Sequence, residues 1–195
     1  MKSFKDVVER IDEALITFGR KRPKFNQVVI MAGGAGSGKG FVQGNLLGIE
    51  GKTFDVDGLK TLALKSDLYK KKVKEEFGYN LDKFNLKNPK LVAKLHDLVS
   101  TLKISNKYQK KMFTSIMTSD PERKPNLIFD VTMKDLKKLD SISRQVQELG
   151  YDKKDIHVVW VINELDTAIQ QNMERDRQVD IDILKDTHRG VSYTI

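Results

Sequence analysis

Between Ser3 and Phe18, Val7, Val8, Ile11, Leu15 and Ile16 recur at helical spacing, so the chain begins with a predicted amphipathic helix. The polar run "GRKRPK" breaks that pattern, and "QVVIMA" follows. This run is short, continuous and β-branched, which predicts a buried strand. After a glycine cluster, "KGFVQGNLL" is expected to open a helix, and "GKTFDVD" reads as a second short strand ending in two aspartates. Helical periodicity then covers Gly58–Phe77, Lys90–Ile104 and Tyr108–Met117, divided by "GYNLDKFNLKNP". "PNLIFDV" predicts a third strand, and "MKDLKKLDSISRQVQELG" a helix closed by Gly150. "IHVVWVI" is the fourth strand, followed by the helix-like "ELDTAIQQNMERDR".

Strands that are near-continuous apolar runs, separated by helices, predict an α/β fold with a parallel sheet covered on both faces. There is no repeat, linker or low-complexity tract, so residues 1–195 read as one domain with a helical insertion at 58–124. Ligands of such sheets bind beyond the carboxyl ends of the strands. The glycine cluster, Asp55, Asp57 and Asp130 all fall at those ends.

Composition narrows the class. Hydrophobic residues make up 39% and charged residues 32% of the chain, ordinary for a globular protein. No apolar run approaches the roughly 18 residues that cross a bilayer, and the N-terminus mixes acids with bases, unlike a secretory signal. No membrane partner and a cytoplasmic location are therefore expected. The lack of cysteine excludes disulfides, thiolate metal sites and cysteine nucleophiles. Net charge is +8, and between Gly58 and Lys124 there are 16 Lys and Arg against 7 Asp and Glu. That segment reads either as a solvated lysine-rich surface or as an attractor of a polyanion such as nucleic acid.

The chemistry starts at Gly33-Gly34-Ala35-Gly36-Ser37-Gly38-Lys39, which satisfies G-x-x-x-x-G-K. Glycines allow positive φ and let backbone N–H groups turn inward around an anion. A following helix would add unpaired N–H groups and its positive dipole end. Lys39 would reach the β- and γ-phosphates of a nucleotide as a mobile point charge. Gly40 stands where such loops usually carry the Ser or Thr that holds Mg²⁺.

The "GSGKG" run resembles the adenylate-kinase type of P-loop, in which G-x-G-K-G-T is usual and the metal is held largely through water. That type's Thr is replaced here by Phe41. With "FDVD", "LIFDVT" and "NMERDRQVDIDILKDTHRGV" added, the chain resembles the P-loop kinases that include nucleoside monophosphate kinases, shikimate kinase and zeta-toxin-like kinases. Zeta-toxin-like kinases are common among phage proteins. The resemblance implies a three-layer P-loop NTPase fold. It also implies an ATP-dependent kinase that needs Mg²⁺ and transfers the γ-phosphate to a small anionic acceptor, such as a nucleotide or nucleotide-sugar. Residues 33–41 would hold the nucleotide and residues 58–124 the acceptor. The family's fifth strand would lie beyond "GVSYTI", leaving four in this chain.

Individual roles follow from pattern and resemblance together. Asp55-Val-Asp57 has period-two spacing, which in a continuing strand puts both carboxylates on one face. By resemblance Asp57 is base or substrate-orienting residue, with Asp55 and Arg189 beside the acceptor; the competing reading of Asp57 is a helix N-cap. Asp130 ends an apolar strand, as does an aspartate that meets Mg²⁺ through water; the competing reading is a turn or cap. Arg175 and Arg177 would sit in a lid, residues 172–190, and clamp the transferring phosphoryl group bidentately. Against that, "ERDR" reads as a solvated charge face. Asp135 and Asp140 are expected to be ordinary helix residues, and His96 and His157 structural. His188 is closer to a surface cap than to a phosphate ligand. Phe77, Tyr79, Phe84 and Tyr108 are expected in core rather than on a base. The functional alternatives are a nucleic-acid-associated NTPase and a nucleotide binder without turnover.

Overall fold

The computed structural model describes residues 25–194; the predicted helix Ser3–Phe18 lies outside them. Strand β1, Val28–Ala32, is fully buried. Strands β2 (Lys52–Asp55), β3 (Leu127–Val131) and β4 (Ile156–Trp160) join it in one parallel sheet of order β2-β3-β1-β4. The α/β class and the four parallel strands expected from the apolar runs are therefore present.

Helices α1 (Lys39–Phe41), α2 (Val56–Lys65), α3 (Asp67–Phe77), α4 (Pro89–Thr101), α5 (Ile104–Met117), α6 (Leu136–Glu148), α7 (Leu165–Glu174) and α8 (Ile181–Thr194) surround the sheet. Local signals set many boundaries. Asn88 accepts from the N–H of Lys90 ahead of Pro89, and Asp135 accepts from that of Lys138. Gly78 and Gly150 adopt positive φ just past α3 and α6. The segment expected as one helix from Gly58 breaks at Ser66, which is extended.

Alternation along β1 and β3 feeds two cores. Val28, Ile30, Ala32, Leu127, Phe129 and Val131 pack with Met112 and Ile116 of α5 and Ile142 and Val146 of α6. Val29, Met31 and Ile128 pack on the opposite face with Leu47, Val42 and Ile49. The insertion has its own core, with Val73, Leu81, Leu95, Leu98 and Val99 at its centre. One expectation fails at β4. Val158 is 43% exposed and Trp160 38%, so among the described residues this edge strand is only partly covered. Among those residues, no helix is long and apolar enough to cross a membrane.

The sheet order places a crevice. The chain leaves β1 along one face and crosses to β2; it leaves β3 along the other face and crosses to β4. The segments after β1 and β3 thus diverge, opening a gap beyond their carboxyl ends, where such folds bind ligands.

Candidate functional site

A cleft of about 1020 Å³ opens there, at the upper end of the volumes that hold small ligands. One wall is the glycine loop between β1 and α1. Gly36 and Gly38 have φ of 75° and 92°, a left-handed conformation that costs other residues about 1–2 kcal/mol. Ser37 N–H closes a turn onto Gly34 O, and Val42 N–H bonds to Gly38 O. Among the described residues, the amides of Gly36, Gly38, Lys39 and Gly40 have no hydrogen-bond partner within the chain. The buried Ser37 hydroxyl is also unpaired.

The loop is braced from three sides. Ala35 N–H donates to Thr187 Oγ1 (3.1 Å), and His188 Nε2 bonds to Ala35 O (2.8 Å), so α8 grips one residue through both its backbone groups. A Cβ on Gly34 would lie 2.3 Å from the His188 ring, and one on Gly36 would lie 2.5 Å from Ala168 O of α7. Asn163, past β4, donates to Gly36 O. His188 was expected at the surface; it is half-buried against the loop.

Gly40 is different. It is exposed, and a Cβ there would meet nothing within 4 Å. Neither space nor backbone conformation requires glycine at this position. The helix predicted to follow is also short. Three α-helical residues pass into a π-helical turn, Val42–Leu46, closed by Leu47 N–H on Val42 O. Gly40 and Gly44 are poor helix formers, and Asn45 spends its amide on Phe41 O. The cradle therefore consists of loop amides, with no long helix dipole behind it.

Lys39 folds back on the loop, donating to Gly33 O (2.9 Å) and Gly34 O (3.2 Å), with Asp130 Oδ1 at 3.8 Å. Burial pushes its ammonium below its usual pKa, opposed by the charge of Asp130. Burial likewise raises the Asp130 carboxyl, opposed by Lys39. Asp130 faces the cleft, and neither a turn nor a cap explains it.

The paired aspartates diverge from their shared-face reading. β2 ends at Asp55 and α2 begins at Val56. Asp55 is itself the cap, its Oδ1 accepting from Asp57 N–H (2.7 Å) and its Oδ2 from Gly58 N–H (2.9 Å). The cap considered for Asp57 thus falls two residues earlier, and the chain turns before period-two alternation can act. Asp57 sits in the first helical turn. Its Oδ1 accepts from Lys60 (2.8 Å) and its Oδ2 from Arg177 (2.5 Å). Burial would raise this carboxyl, but the Lys60 charge and the Arg177 contact outweigh it and hold the group well below the usual carboxylate range. In this state Asp57 is a counter-ion, with little basicity for removing a proton.

Arg175 and Arg177 both line the cleft from the segment between α7 and α8. Buried Asn172 holds that segment by donating to Val179 O (2.8 Å) and accepting from Val179 N–H (2.9 Å). Gln178 N–H ties it to Leu86 O of the insertion. Arg189 does not join them. It is exposed on α8, in the same helix whose Thr187 and His188 turn toward the loop, and it is not among the residues lining the cleft. The final run "GVSYT" is the end of this helix.

The opposite wall includes Val92, Ala93, His96 and Asp97 of α4, so His96 faces the cleft. His157 bonds to Gln27 below the sheet. Asp135 caps α6 and also reaches the cleft; Asp140 lies within that helix. Phe77 and Phe84 pack into the insertion core, Tyr79 meets Phe84 edge-on, and Tyr108 stacks on Phe54. Lys60, His96, Asn163, Asn172, Thr187 and His188 were not singled out as site residues by pattern. Asn163, Thr187 and His188 act on loop residues more than 120 positions away, while Lys60 and Asn172 have near partners, Asp57 and Val179, but no pattern that marks them.

Among the described residues no group of three or more His, Cys, Asp or Glu is arranged to hold a metal ion. Comparison with protein-family models, curated proteins and solved structures finds no match.

Proposed function

We propose that this chain is an ATP-dependent phosphotransferase of P-loop kinase type, acting on a small anionic acceptor. The observation that carries the proposal is the glycine loop at the crevice. Four unpaired amides and a lysine flexed onto its own loop, with Asp130 3.8 Å from that lysine, lie beside a cleft of about 1020 Å³. A nucleotide's terminal phosphates would take those amides, the Ser37 hydroxyl and the Lys39 ammonium, which exchanges two carbonyls for anionic oxygens.

Mg²⁺ fits the residues present in a limited way. A metal carried by a triphosphate needs few protein ligands. Asp130 is the carboxylate that would meet its waters, while Gly40 supplies no hydroxyl. Such an ion would neutralise charge on the phosphates. The chain's own residues do the rest: the loop orients the phosphates, and Arg175 and Arg177 face the cleft above them. Phosphate in the cleft competes with Asp57 for Arg177. Once Arg177 moves, one oxygen of Asp57 is free to orient an acceptor hydroxyl. Lys60 and Arg177, both on Asp57, are the cations that an anionic acceptor would meet there.

The test uses γ-labelled ATP with pooled metabolites, comparing the wild type with Lys39→Ala. Label in an acceptor, lost in the variant, is the expected result. Label released only as phosphate would overturn the kinase reading. A second reading, nucleotide binding without turnover, is favoured by one observation: both Asp57 oxygens are occupied. It predicts ATP association with no transfer of label.

A further inference from the structure

The lysine-rich insertion divides into two kinds of surface. On α3, three of the four lysines are matched by neighbours: Lys70 meets Asp82 at 2.7 Å, Lys71 pairs with Glu75, and Lys72 with Glu76, leaving Lys74. This is a solvated, salt-laced face, and it attracts little. Helix α5 is built otherwise. No Asp or Glu falls between Asp97 and Asp120, while Lys103, Lys107, Lys110 and Lys111 do. All four are exposed, and none forms an ion pair among the described residues.

Their spacing of four, three and one puts them along one helix face. The opposite face carries Met112 and Ile116 into the sheet core, which fixes the rotation of the helix and keeps the lysines outward. A shallow groove of about 520 Å³ runs beside them, lined by Lys107, Lys110, Lys111, Thr114, Ser115 and Thr118. Lys52 of β2 reaches the same place, its Nζ on Ser115 Oγ at 3.0 Å. Cations and hydroxyls without a carboxylate are the side chains that contact phosphodiester oxygens. At a rise of 1.5 Å per residue, Lys103 to Lys111 spans roughly 12 Å. That matches the axial rise of about three to four nucleotides of one strand at 3.4 Å each.

We infer that the exposed face of α5, with Lys103, Lys107, Lys110, Lys111 and Lys52, is a docking surface for the phosphate backbone of a polynucleotide. None of these residues lines the catalytic-type cleft, so the inference stands or falls apart from the kinase proposal. Tyr108 of the same helix is 40% exposed but already stacked on Phe54, so binding is chiefly through the backbone and with little sequence preference. With about four phosphates neutralised, log K falls with log salt at a slope of about −2.8 for a single strand. Affinity therefore drops roughly fiftyfold from 50 to 200 mM salt.

Fluorescence anisotropy with labelled 20-nucleotide DNA and RNA strands tests this in the full chain, comparing the wild type with Lys107→Glu/Lys110→Glu/Lys111→Glu. Expected are salt-steep binding by the wild type and its loss in the triple variant. The triple Lys→Arg variant should retain binding. Equal binding by wild type and Glu variant, or no wild-type binding at 50 mM salt, would overturn the inference. So would preferential binding to phosphatidylserine-containing vesicles over the strands, which would make the face a membrane-surface contact. Should the Glu variant fail to fold, lysine acetylation of the wild type decides. Protection of Lys107, Lys110 and Lys111 by the oligonucleotide supports the surface, and unchanged labelling refutes it.

Discussion

Asp57 meets two cations with one side chain. It is half-exposed, yet it balances two cations whose own side chains are only 10% and 12% exposed. Asp57→Asn therefore removes the one carboxylate that both cations contact. The cost should fall between an exposed pair, about 0.5 kcal/mol, and a buried one, about 3–5 kcal/mol. The pH dependence has a definite sign. The folded pKa is depressed, so the stabilisation is complete above the unfolded value near 3.9 and fades as pH falls from there toward the folded value. Melting curves of wild type and Asp57→Asn should differ at pH 7 and converge in acid; a gap independent of pH would refute the linkage. The glycines give a second contrast. Gly36→Ala meets both positive φ and a backbone oxygen, and should lower Tm by several degrees, at about 2–4 °C per kcal/mol. Gly40→Ala meets neither and should leave Tm unchanged or raise it slightly. Sequence alone places the glycine cluster at a strand end, but does not show which glycines are obligatory. That depends on Ala168 and His188, far along the chain.

At the scale of elements, the parallel sheet was legible because β1, β3 and β4 are mostly apolar runs, while β2, with Phe54 its one apolar residue, shows only as a short segment before two aspartates. Asp130 lies near the end of β3 and Lys39 just past β1, so the pairing of these two neighbouring strands brings them together. The paired aspartates were misread because a cap overrides strand alternation: Asp55 binds two helix amides and ends β2 before Asp57 is reached. Arg189 lies off the cleft because the period of α8 turns it outward while Thr187 turns in. The segment carrying Arg175 and Arg177 illustrates what pattern reading missed. Besides the Gln178–Leu86 bond, it is held by an amide side chain, Asn172, that satisfies both backbone groups of Val179. Asn172→Ala leaves those groups unpaired and loosens the segment without touching the glycine loop. Turnover should fall about tenfold, a small part of the 10³–10⁵ that a phosphate-clamping arginine contributes, with ATP affinity nearly unchanged. A rise in KM for ATP at constant kcat would instead make Asn172 part of the nucleotide pocket.

At the scale of the whole molecule, the glycine loop is where separate elements meet. It closes β1, takes a bond from Asn163 beyond β4, lies against Ala168 of α7 and is gripped by Thr187 and His188 of α8. A ligand that fixes the loop therefore fixes elements more than 120 residues away in sequence. If the proposed nucleotide site is correct, nucleotide at 100 times its Kd should stabilise the folded state by about 2.7 kcal/mol, or roughly 5–11 °C in Tm for a chain of this size. Lys39→Ala should abolish that shift. Hydrogen exchange then separates local contact from coupling. In the wild type, amides of α7 and α8 should slow together with the loop when ADP is added. Thr187→Val removes the acceptor for Ala35 N–H while keeping the side chain's shape, so the loop should still gain protection and α8 should not. Protection confined to the loop in the wild type would mean that the clamp is rigid in both states, and that the bracing helices report nothing of the site.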